Sequence, residues 1–566
     1  MKLAGARILL ECLKLEDVDT VFGYPGGTVI NIYDELYSFP EIRHILPRHE
    51  QAAVHAADGY ARASGKVGVA IATSGPGATN TVTGIATAYM DSIPLVVITG
   101  QVPTALIGND AFQEVDIIGI TRPCTKHNFL VKDVRELAGI VKKAFYIART
   151  GRPGPVLIDL PKDVQIAVAD FKYPEKIEMR SYRPTIEGHS RQVEKAATML
   201  LGAKKPVIYV GGGVILGNAS ENLTKLAETL KTPVTTTLMG LGAFPEDDPL
   251  SLGLLGMHGT YYANMAVTNC DLLVAIGARF DDRVTGKIPA FAPHAKIIHL
   301  DVDPTSIRKN VRVDLPIVGD VHGVLEKLLK ILEKRRDEVE NFKTAVKPWL
   351  DEIDAWKAKH PMTFKESSQV IKPQSVIRKL RELCEPDAIV ATDVGQHQMW
   401  TAQFFTFTRP RTLLSSGGLG TMGYGLPAAM GAQAAFPKRQ VLAICGDGGF
   451  QMNLQEMATL VQSKLPVKIC ILNNQYLGMV RQWQELFFEK RYSQTVLDLP
   501  IDFVKLAEAF GATGFTVKKP EDVEETIRKG LATPGPVIME FKVAREEKVL
   551  PMVPSGASLN EMVLAS

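Results

Sequence analysis

The sequence has almost no charge surplus: 64 Lys and Arg stand against 62 Asp and Glu, a formal net charge of +2 over 566 residues. A chain this balanced offers no basic face for nucleic acid and none for an anionic membrane. It also lacks a cysteine pattern. Cys12, Cys124, Cys270, Cys384, Cys445 and Cys470 show no CxxC spacing, which argues against a zinc ribbon or a disulfide frame. Several lie in apolar segments such as VLAIC and KICIL and read as buried thiols of a reducing compartment. Long apolar runs are missing too. A long uncharged stretch, 412–437, holds six glycines and two prolines, which suits a tight loop and a small-residue helix rather than a membrane span. Neither an apolar signal core nor an Arg/Ser-rich leader precedes the amphipathic pattern AGARILLECLKL, so the expected location is the cytoplasm.

What is present is an ordinary globular composition, 46% apolar and 22% charged, with a slightly high 47 glycines. At about 150 residues per domain, the length suggests three or four domains. Short Val- and Ile-rich runs alternate with helical patterns: VGVAIATSG, PLVVITGQ, PVLIDLP, PVIYVGGG, DLLVAIGARF, KIIHLDVD, AIVATD, VLAICGDG, KICILNN and PVIMEF. Unalternating apolar strands separated by helices specify parallel sheets covered on both faces, an α/β fold repeated along the chain. Residues 69–98, VAIATSGPGATN then SIPLVVI, are echoed by 441–472, VLAICGDGGFQMN then KLPVKICIL. RPGPVLIDLP at 152–161 is echoed by TPGPVIMEFK at 533–542. Two matches in the same order suggest that the first and last domains are related. The pattern divides the chain into 1–180, 190–335, a linker over 336–369 that packs partly through its aromatics, and 370–566.

In open α/β sheets ligands sit beyond the carboxyl ends of the strands, where the glycine-rich turns of this chain fall. GDGGFQMN at 446–453 follows one apolar run and ILNNQYLGM at 471–479 ends the next. Asp447 and Asn474, 27 residues apart, can therefore reach one sheet edge across one helix. With a backbone carbonyl just beyond Asn474, assigned to Tyr476, the ligand set is all oxygen and suits Mg²⁺ holding a diphosphate. Gly446, Gly448 and Gly449 let backbone N–H groups and a helix N-terminus approach phosphate oxygens. A Gly-Asp turn with an Asn cap fits the same residues.

GDG followed by NN at this spacing resembles the thiamin diphosphate motif of the decarboxylase and carboligase family. That family binds the aminopyrimidine on one of two related domains and the Mg-diphosphate on its sister, usually across a subunit interface. Asp447 stands where the first copy has Pro76, so only the last copy offers the metal ligand. The chemistry also needs a carboxylate at pyrimidine N1′, so that the 4′-amino group, as an imine, takes the C2 proton. The resemblance assigns this to Glu50 in PRHEQAAVHAADGYAR; a lone Glu at a helix start would otherwise read as a dipole-favoured cap. It makes Met422, in GGLGTMGYGLPAAMG, the apolar wedge that bends the cofactor, and the Gly420 carbonyl the acceptor for the 4′-amino group. Met422 alone would read as core filler. Tyr24, Pro25 and Gly26 of VFGYPGG, Gln396 and His397 of VGQHQMW, and Gly478 and Met479 of NNQYLGMV complete the implied cofactor contacts.

Over essentially the whole chain the sequence is similar to the catalytic subunits of the acetolactate synthase (acetohydroxyacid synthase) family. Several of the matching motifs, which include RHEQ, TSGPGATN and RPGPVLIDLPKD, are family-wide, whereas GMHG, ARFDDR and GMVRQWQ are more specific. The resemblance implies three doubly wound parallel-sheet domains, the first and third of the thiamin diphosphate-binding fold and the middle one a Rossmann-like FAD domain. It implies that pyruvate is decarboxylated and its two-carbon remainder joined to a second 2-oxoacid. Pyruvate then gives 2-acetolactate and 2-oxobutyrate gives 2-aceto-2-hydroxybutyrate, the first common step toward valine, leucine and isoleucine. Arg283, last of ARFDDR, would hold the second carboxylate bidentately. Trp483 would favour 2-oxobutyrate, one methylene in an apolar pocket being worth about 1 to 3 kcal/mol. Phe112, Gln113, Lys162 and Met479 match the substrate channel.

The middle domain has glycine turns and strand-end polar residues of the kind a dinucleotide needs, although GGGVILG is not a clean GxGxxG. These are Gly211, Gly212 and Gly213; Thr237 and Leu238; Met257 and His258; Gly277, Ala278, Arg279, Asp281 and Arg283; Asp301 and Val302; and Gly319, Asp320 and Val321. The resemblance makes them an FAD site, with Arg152 contributing from the first domain. The reaction has no net redox change, so the FAD would be structural. A homodimer or dimer of dimers with interfacial sites is implied, as is a separate regulatory small subunit, since no effector-binding appendage is seen. No nucleic-acid or membrane partner is expected. Two residues depart from the pattern: Thr28 stands where Ala is usual, and Gly449 where Ser or Ala is commoner. Pyruvate oxidase shares the fold and cofactors, and an FAD-free catabolic acetolactate synthase shares the product. ARFDDR and Trp483 count against the first, and ARFDDR against the second. A non-catalytic relative would not need Glu50, Asp447 and Asn474 together.

Overall fold

In a computed structural model, which describes residues 1–499 and 501–564, the protein forms two compact units. The first comprises Met1–Arg183, Cys384–His397 and Leu414–Arg545; the second comprises Pro184–Leu383, Gln398–Leu413 and the described residues from Glu546 onward.

The chain begins with β1 (Lys2–Ala4), β2 (Thr20–Gly23), β3 (Arg43–Ile45), β4 (Gly68–Ala72), β5 (Leu95–Gln101), β6 (His127–Leu130), β7 (Pro155–Pro161) and β8 (Val168–Asp170). β1 and β8 pair antiparallel, and the others form a parallel sheet ordered β3-β2-β4-β5-β7-β6. The second unit holds β9 (Pro206–Val210), β10 (Val234–Thr236), β11 (Ser251–Leu254), β12 (Leu272–Ile276), β13 (Lys296–Asp301) and β14 (Leu315–Val318). Their order, β11-β10-β9-β12-β13-β14, is the dinucleotide-binding 3-2-1-4-5-6, with its switch point between β9 and β12. Then come β15 (Ile389–Thr392), β16 (Leu413–Leu414), β17 (Val441–Gly446), β18 (Lys468–Asn473), β19 (Thr513–Val517) and β20 (Val537–Lys542), ordered β16-β15-β17-β18-β20-β19. Counted from its own first strand, each sheet of the first unit runs 2-1-3-4-6-5. The duplication inferred from the sequence echoes is thus present in the topology. The three α/β sheets are as expected.

Within the first unit the two halves meet where helix Glu50–Ser64 crosses helix Gly425–Ala435. A Cβ at Gly59 would strike the Ala428 carbonyl, and one at Gly431 would strike the Ala56 carbonyl. The backbones touch, which only glycine permits. Pairing 59 with 428 and 56 with 431 makes the crossing antiparallel. Residues Gly425 to Ala434 are all buried, which explains the missing charge over that part of 412–437.

A second shared device braces, in each half, the turn that leads into β7 or β20. Lys126 Nζ donates to the Thr150 carbonyl at 2.8 Å, and Lys468 Nζ to the Gly535 carbonyl at 2.9 Å. The carbonyls lie in the turns RTGRPGP and ATPGP, where each ammonium meets backbone just beyond the end of a helix.

The stretch expected as a linker, 336–369, is mostly a 24-residue helix, Arg336–Lys359. It buries Val339, Phe342, Val346, Trp349 and Ile353, and Trp349 Nε1 donates to the Pro206 carbonyl at 3.1 Å. Its apolar stripe recurs at helical spacing, which the high charge of the segment masks. All six cysteines are free, five buried and Cys124 half-buried. Among the described residues no helix is long and apolar enough to cross a membrane. Because the helix crossing has no room for a methyl group, Gly431→Ala is expected to lower stability by about 1–3 kcal/mol in urea unfolding. An unchanged midpoint would contradict the close approach.

Candidate active site

β17 and β18 pair in parallel with Gly446 opposite Leu472, so Asp447 and Asn474 leave the sheet at the same carboxyl edge. Asp447 opens the short helix Asp447–Gln451. It is buried, and its Oδ1 has no hydrogen-bond partner among the described residues. Burial pushes its carboxyl up to about 6, against the pull of its own N–H, the Asn474 N–H and Lys542. Asn474 Oδ1 accepts the Tyr476 N–H at 3.1 Å while its Nδ2 donates to Gln396 Oε1 at 3.2 Å, which fixes the amide. A buried carboxylate oxygen with no donor is costly. A hard divalent cation is the partner that Asp447, the Asn474 oxygen and the Tyr476 carbonyl can serve together. No cluster of three or more His, Cys, Asp or Glu among the described residues offers a competing cage. These residues fit Mg²⁺.

Around this edge, side chains press against glycines. A Cβ at Gly446 would meet His397 Nδ1 at 3.0 Å, and one at Gly448 would meet Leu477 at 2.9 Å; one at Gly478 would strike Gln396 Oε1. Burial lowers His397 to about 4, so the imidazole is neutral. The departure at Gly449 has a local reason, since a Cβ there would lie 2.5 Å from Asp393 Oδ1. Met479 and Trp483 share helix Gly478–Phe487 and are half-buried. Met422 is half-buried between Gly420 (φ +71°) and Gly423 (φ +86°).

In the other half, Glu50 is the first residue of its helix, capped by His49, and its Oε2 accepts from Asn80 Nδ2 at 3.0 Å. A Cβ at Gly77 would lie 3.2 Å from Glu50 Oε1, so the TSGPGATN turn closes over the carboxylate. Gln113, at φ +60°, stacks on the same turn, its carbonyl 2.9 Å from where a Gly75 Cβ would stand. Phe112 beside it is 88% exposed. Lys162 opens helix Lys162–Ile166 at the end of β7. Tyr24 and Pro25 are exposed, and Gly26 packs on Thr73. The other departure, Thr28, is absorbed by the fold: its hydroxyl accepts the Ser74 N–H at 3.0 Å.

One chain does not bring Glu50 and Met422 together. They lie toward opposite ends of the antiparallel helix pair, on the order of 20 Å apart by the helical rise.

In the second unit the residues read as dinucleotide contacts all stand at the carboxyl edge of β9 to β14. Gly211 and Gly213 abut Gly277 so closely that a Cβ on either would strike its backbone. This is the switch point, the close backbone approach a pyrophosphate needs. Thr237 follows β10, and its buried Oγ1 has no partner among the described residues. Leu238 opens the next turn. Asp301 Oδ1 accepts the Asp303 N–H at 2.8 Å, with Val302 between them. Asp320, after Gly319, caps the helix that starts at Val321. Ala278 is buried, and Arg279 pairs with Asp281, which caps the turn carrying the half-exposed Arg283. A small cleft is lined by Met257, Arg283, Val553 and Ser555 among others. His258, lowered to about 4 by burial, has Nδ1 3.3 Å from the Pro551 carbonyl. Orphaned Thr237 and the glycine slot fit FAD. Arg152, in the first unit, donates to Ser92 Oγ at 2.7 Å.

Among the buried carboxylates that were not anticipated are Asp393, Glu456 and Asp159. Asp393, pushed up to about 6 by burial, accepts the N–H groups of Val394, Gly423 and Gly425. Glu456, pushed up to about 7, accepts the Arg48 N–H at 2.9 Å, two residues before Glu50. Asp159, also near 7, binds Thr99 and Gln101.

Residues 393–541 match the family described as thiamine pyrophosphate enzyme, C-terminal TPP binding domain. Residues 193–328 match its central domain and 3–120 its N-terminal TPP binding domain. The acetolactate synthase large subunit of Haemophilus influenzae is 49% identical over 569 residues, covering 100% of this chain and 98% of its own length. The isozyme 3 large subunit of Escherichia coli is 48% identical over 100% of this chain and 99% of its own length. The acetolactate synthase large subunit of Corynebacterium glutamicum is 50% identical over 100% of this chain and 90% of its own length. The chain belongs to the acetolactate synthase large-subunit family. As an acetolactate synthase of this family it is an enzyme dependent on thiamine pyrophosphate, and Asp447 lies within the stretch matched to the C-terminal TPP binding domain.

Asp447 gives the site a pH signature. Its pKa is raised from 3.8 to about 6, so ionisation opposes folding above that pH, and protons compete with a cation below it. Mg²⁺ affinity is expected to be flat above pH 6 and to fall about tenfold per pH unit below it. In Asp447→Ala, calorimetry is expected to show no Mg²⁺-dependent cofactor binding. Without metal, that variant should be no less stable than the parent.

Proposed function

We propose that this acetolactate synthase binds Mg²⁺ and FAD beside thiamin diphosphate, with pyruvate as donor and either pyruvate or 2-oxobutyrate as acceptor. The carrying observation is the buried, unpartnered Asp447 oxygen beside Asn474, present in one copy of the duplicated fold and replaced by Pro76 in the other. When bound, thiamin diphosphate supplies a nucleophilic C2 and an electron sink for the loss of CO₂. Asp447, Asn474 and Tyr476 would hold the metal, while the turn at Gly446, Gly448 and Gly449 receives phosphate. Glu50 would hold the proton at pyrimidine N1′, the Gly420 carbonyl would accept from the 4′-amino group, and Met422 would wedge the cofactor. Arg283 would pair with the second carboxylate, Trp483 would bound the acceptor pocket, and Phe112, Gln113, Lys162 and Met479 would line the approach.

In this reading 1–180 is the pyrimidine domain, 190–335 the FAD domain with Arg152 added, and 370–566 the Mg-diphosphate domain. The antiparallel crossing that holds Glu50 away from Met422 supports a homodimer, or a dimer of such dimers, in which each site draws on two copies. A regulatory small subunit and a cytoplasmic location complete the proposal, the first supported by the large-subunit names of the relatives.

Given pyruvate without oxygen, the purified chain with its cofactors should form acetolactate and CO₂ while the flavin stays oxidised. Bleaching would point to pyruvate oxidase, and full activity in a colourless preparation to an FAD-free enzyme. Glu50→Gln should keep the fold and slow C2 proton exchange at least 100-fold. Trp483→Leu should shift the competition between 2-oxobutyrate and pyruvate by roughly 1 to 3 kcal/mol.

A further inference from the structure

Helix Val82–Asp91 ends on an acid, the disfavoured sign at the negative end of a helix dipole. Asp91 is nearly sealed from solvent, and both oxygens are engaged. Oδ2 accepts from Arg62 Nη2 at 2.8 Å and from the Gly417 N–H at 3.0 Å; Oδ1 accepts the Gly418 N–H at 2.7 Å. Gly418 lies so close that a Cβ on it would stand 2.8 Å from Asp91 Oδ1 and 3.1 Å from the Met90 carbonyl. One turn back, Thr87 Oγ1 meets Thr421 Oγ1 at 2.7 Å. Beyond Met422, Asp393 takes the Gly423 and Gly425 N–H groups. The loop with the exposed Gly420 and half-buried Met422 is thus slung between two buried carboxylates. Asp58 completes the same ionic cluster, bonded to Arg62 at 2.5 Å and to the Tyr424 hydroxyl at 2.6 Å, but it touches no amide of residues 416–421.

We propose that Asp91 is a positioning residue for the acetolactate synthase reaction, holding the Gly417–Thr421 backbone so that Gly420 and Met422 meet the pyrimidine. The inference rests on the reading of those two residues as pyrimidine contacts. An unfavourable helix-end charge is kept because no neutral side chain of that size accepts two loop N–H groups and a guanidinium together.

The test pairs Asp91→Asn with Asp58→Asn, which loosens the same cluster without reaching the loop amides. Amide hydrogen exchange at 417–421 is measured in the cofactor-free chain, and thiamin diphosphate affinity at saturating Mg²⁺. Asp91→Asn should speed loop exchange and weaken binding at least tenfold each, while Asp58→Asn stays within about threefold of the parent in both. Gly418→Ala, which keeps the Arg62 pair but pushes the loop away, should reproduce the Asp91→Asn pattern and serves if that variant does not fold. Loop exchange unchanged in Asp91→Asn and Gly418→Ala, or equal effects from Asp58→Asn, would overturn the proposal. If thiamin diphosphate fails to protect 417–421 in the parent chain, the pyrimidine reading itself falls and takes the inference with it.

Discussion

The first unit depends on one contact, the crossing of helices Glu50–Ser64 and Gly425–Ala435 at backbone distance. Glycines 59 and 431 are required there because a single methyl group would collide with a carbonyl. The crossing fixes composition, since a helix buried on nearly every side carries no charge. It also fixes direction. Running antiparallel, the pair carries Glu50 at one end and the Met422 loop toward the other, and no rearrangement short of separating the helices would unite them. In the proposed reading, where both meet one ring, they would come from two copies of the chain.

Burial alone does not distinguish a structural carboxylate from the proposed metal ligand in this protein. Asp393 and Asp447 are both buried, and both are pushed up to about 6. What separates them is the hydrogen-bond inventory. Asp393 is surrounded by backbone N–H groups, as Glu456 and Asp159 are by donors of their own, whereas one Asp447 oxygen meets no donor among the described residues. The first kind holds loops in place, and the second fits the cation we propose.

Much of this was legible in the sequence. All ten apolar runs are strands, and the two echoes located the duplication that the strand order repeats. Asp447 and Asn474 could be paired because adjacent parallel strands end at one edge, a rule that needs only spacing. Short or partly exposed strands such as β11, β16 and β19 carry too few apolar residues to show a period, and the stripe of helix Arg336–Lys359 is hidden among charges. The loop anchors were out of reach for a different reason. Asp91 and Gly417 are 326 residues apart, and Arg48 and Glu456 are 408 apart. Nothing local distinguishes such an acid from a surface one.

The lysine braces show what a duplicated domain keeps. Lys126 precedes β6, on one side of β7, whereas Lys468 starts β18, which lies on the opposite side of β20 from the strand matching β6. The two halves therefore brace the same turn, at different carbonyls of it, with the same residue type reached from opposite neighbours. What recurs is the polar demand of the turn's backbone, while the strand that supplies the charge to meet it differs between the halves.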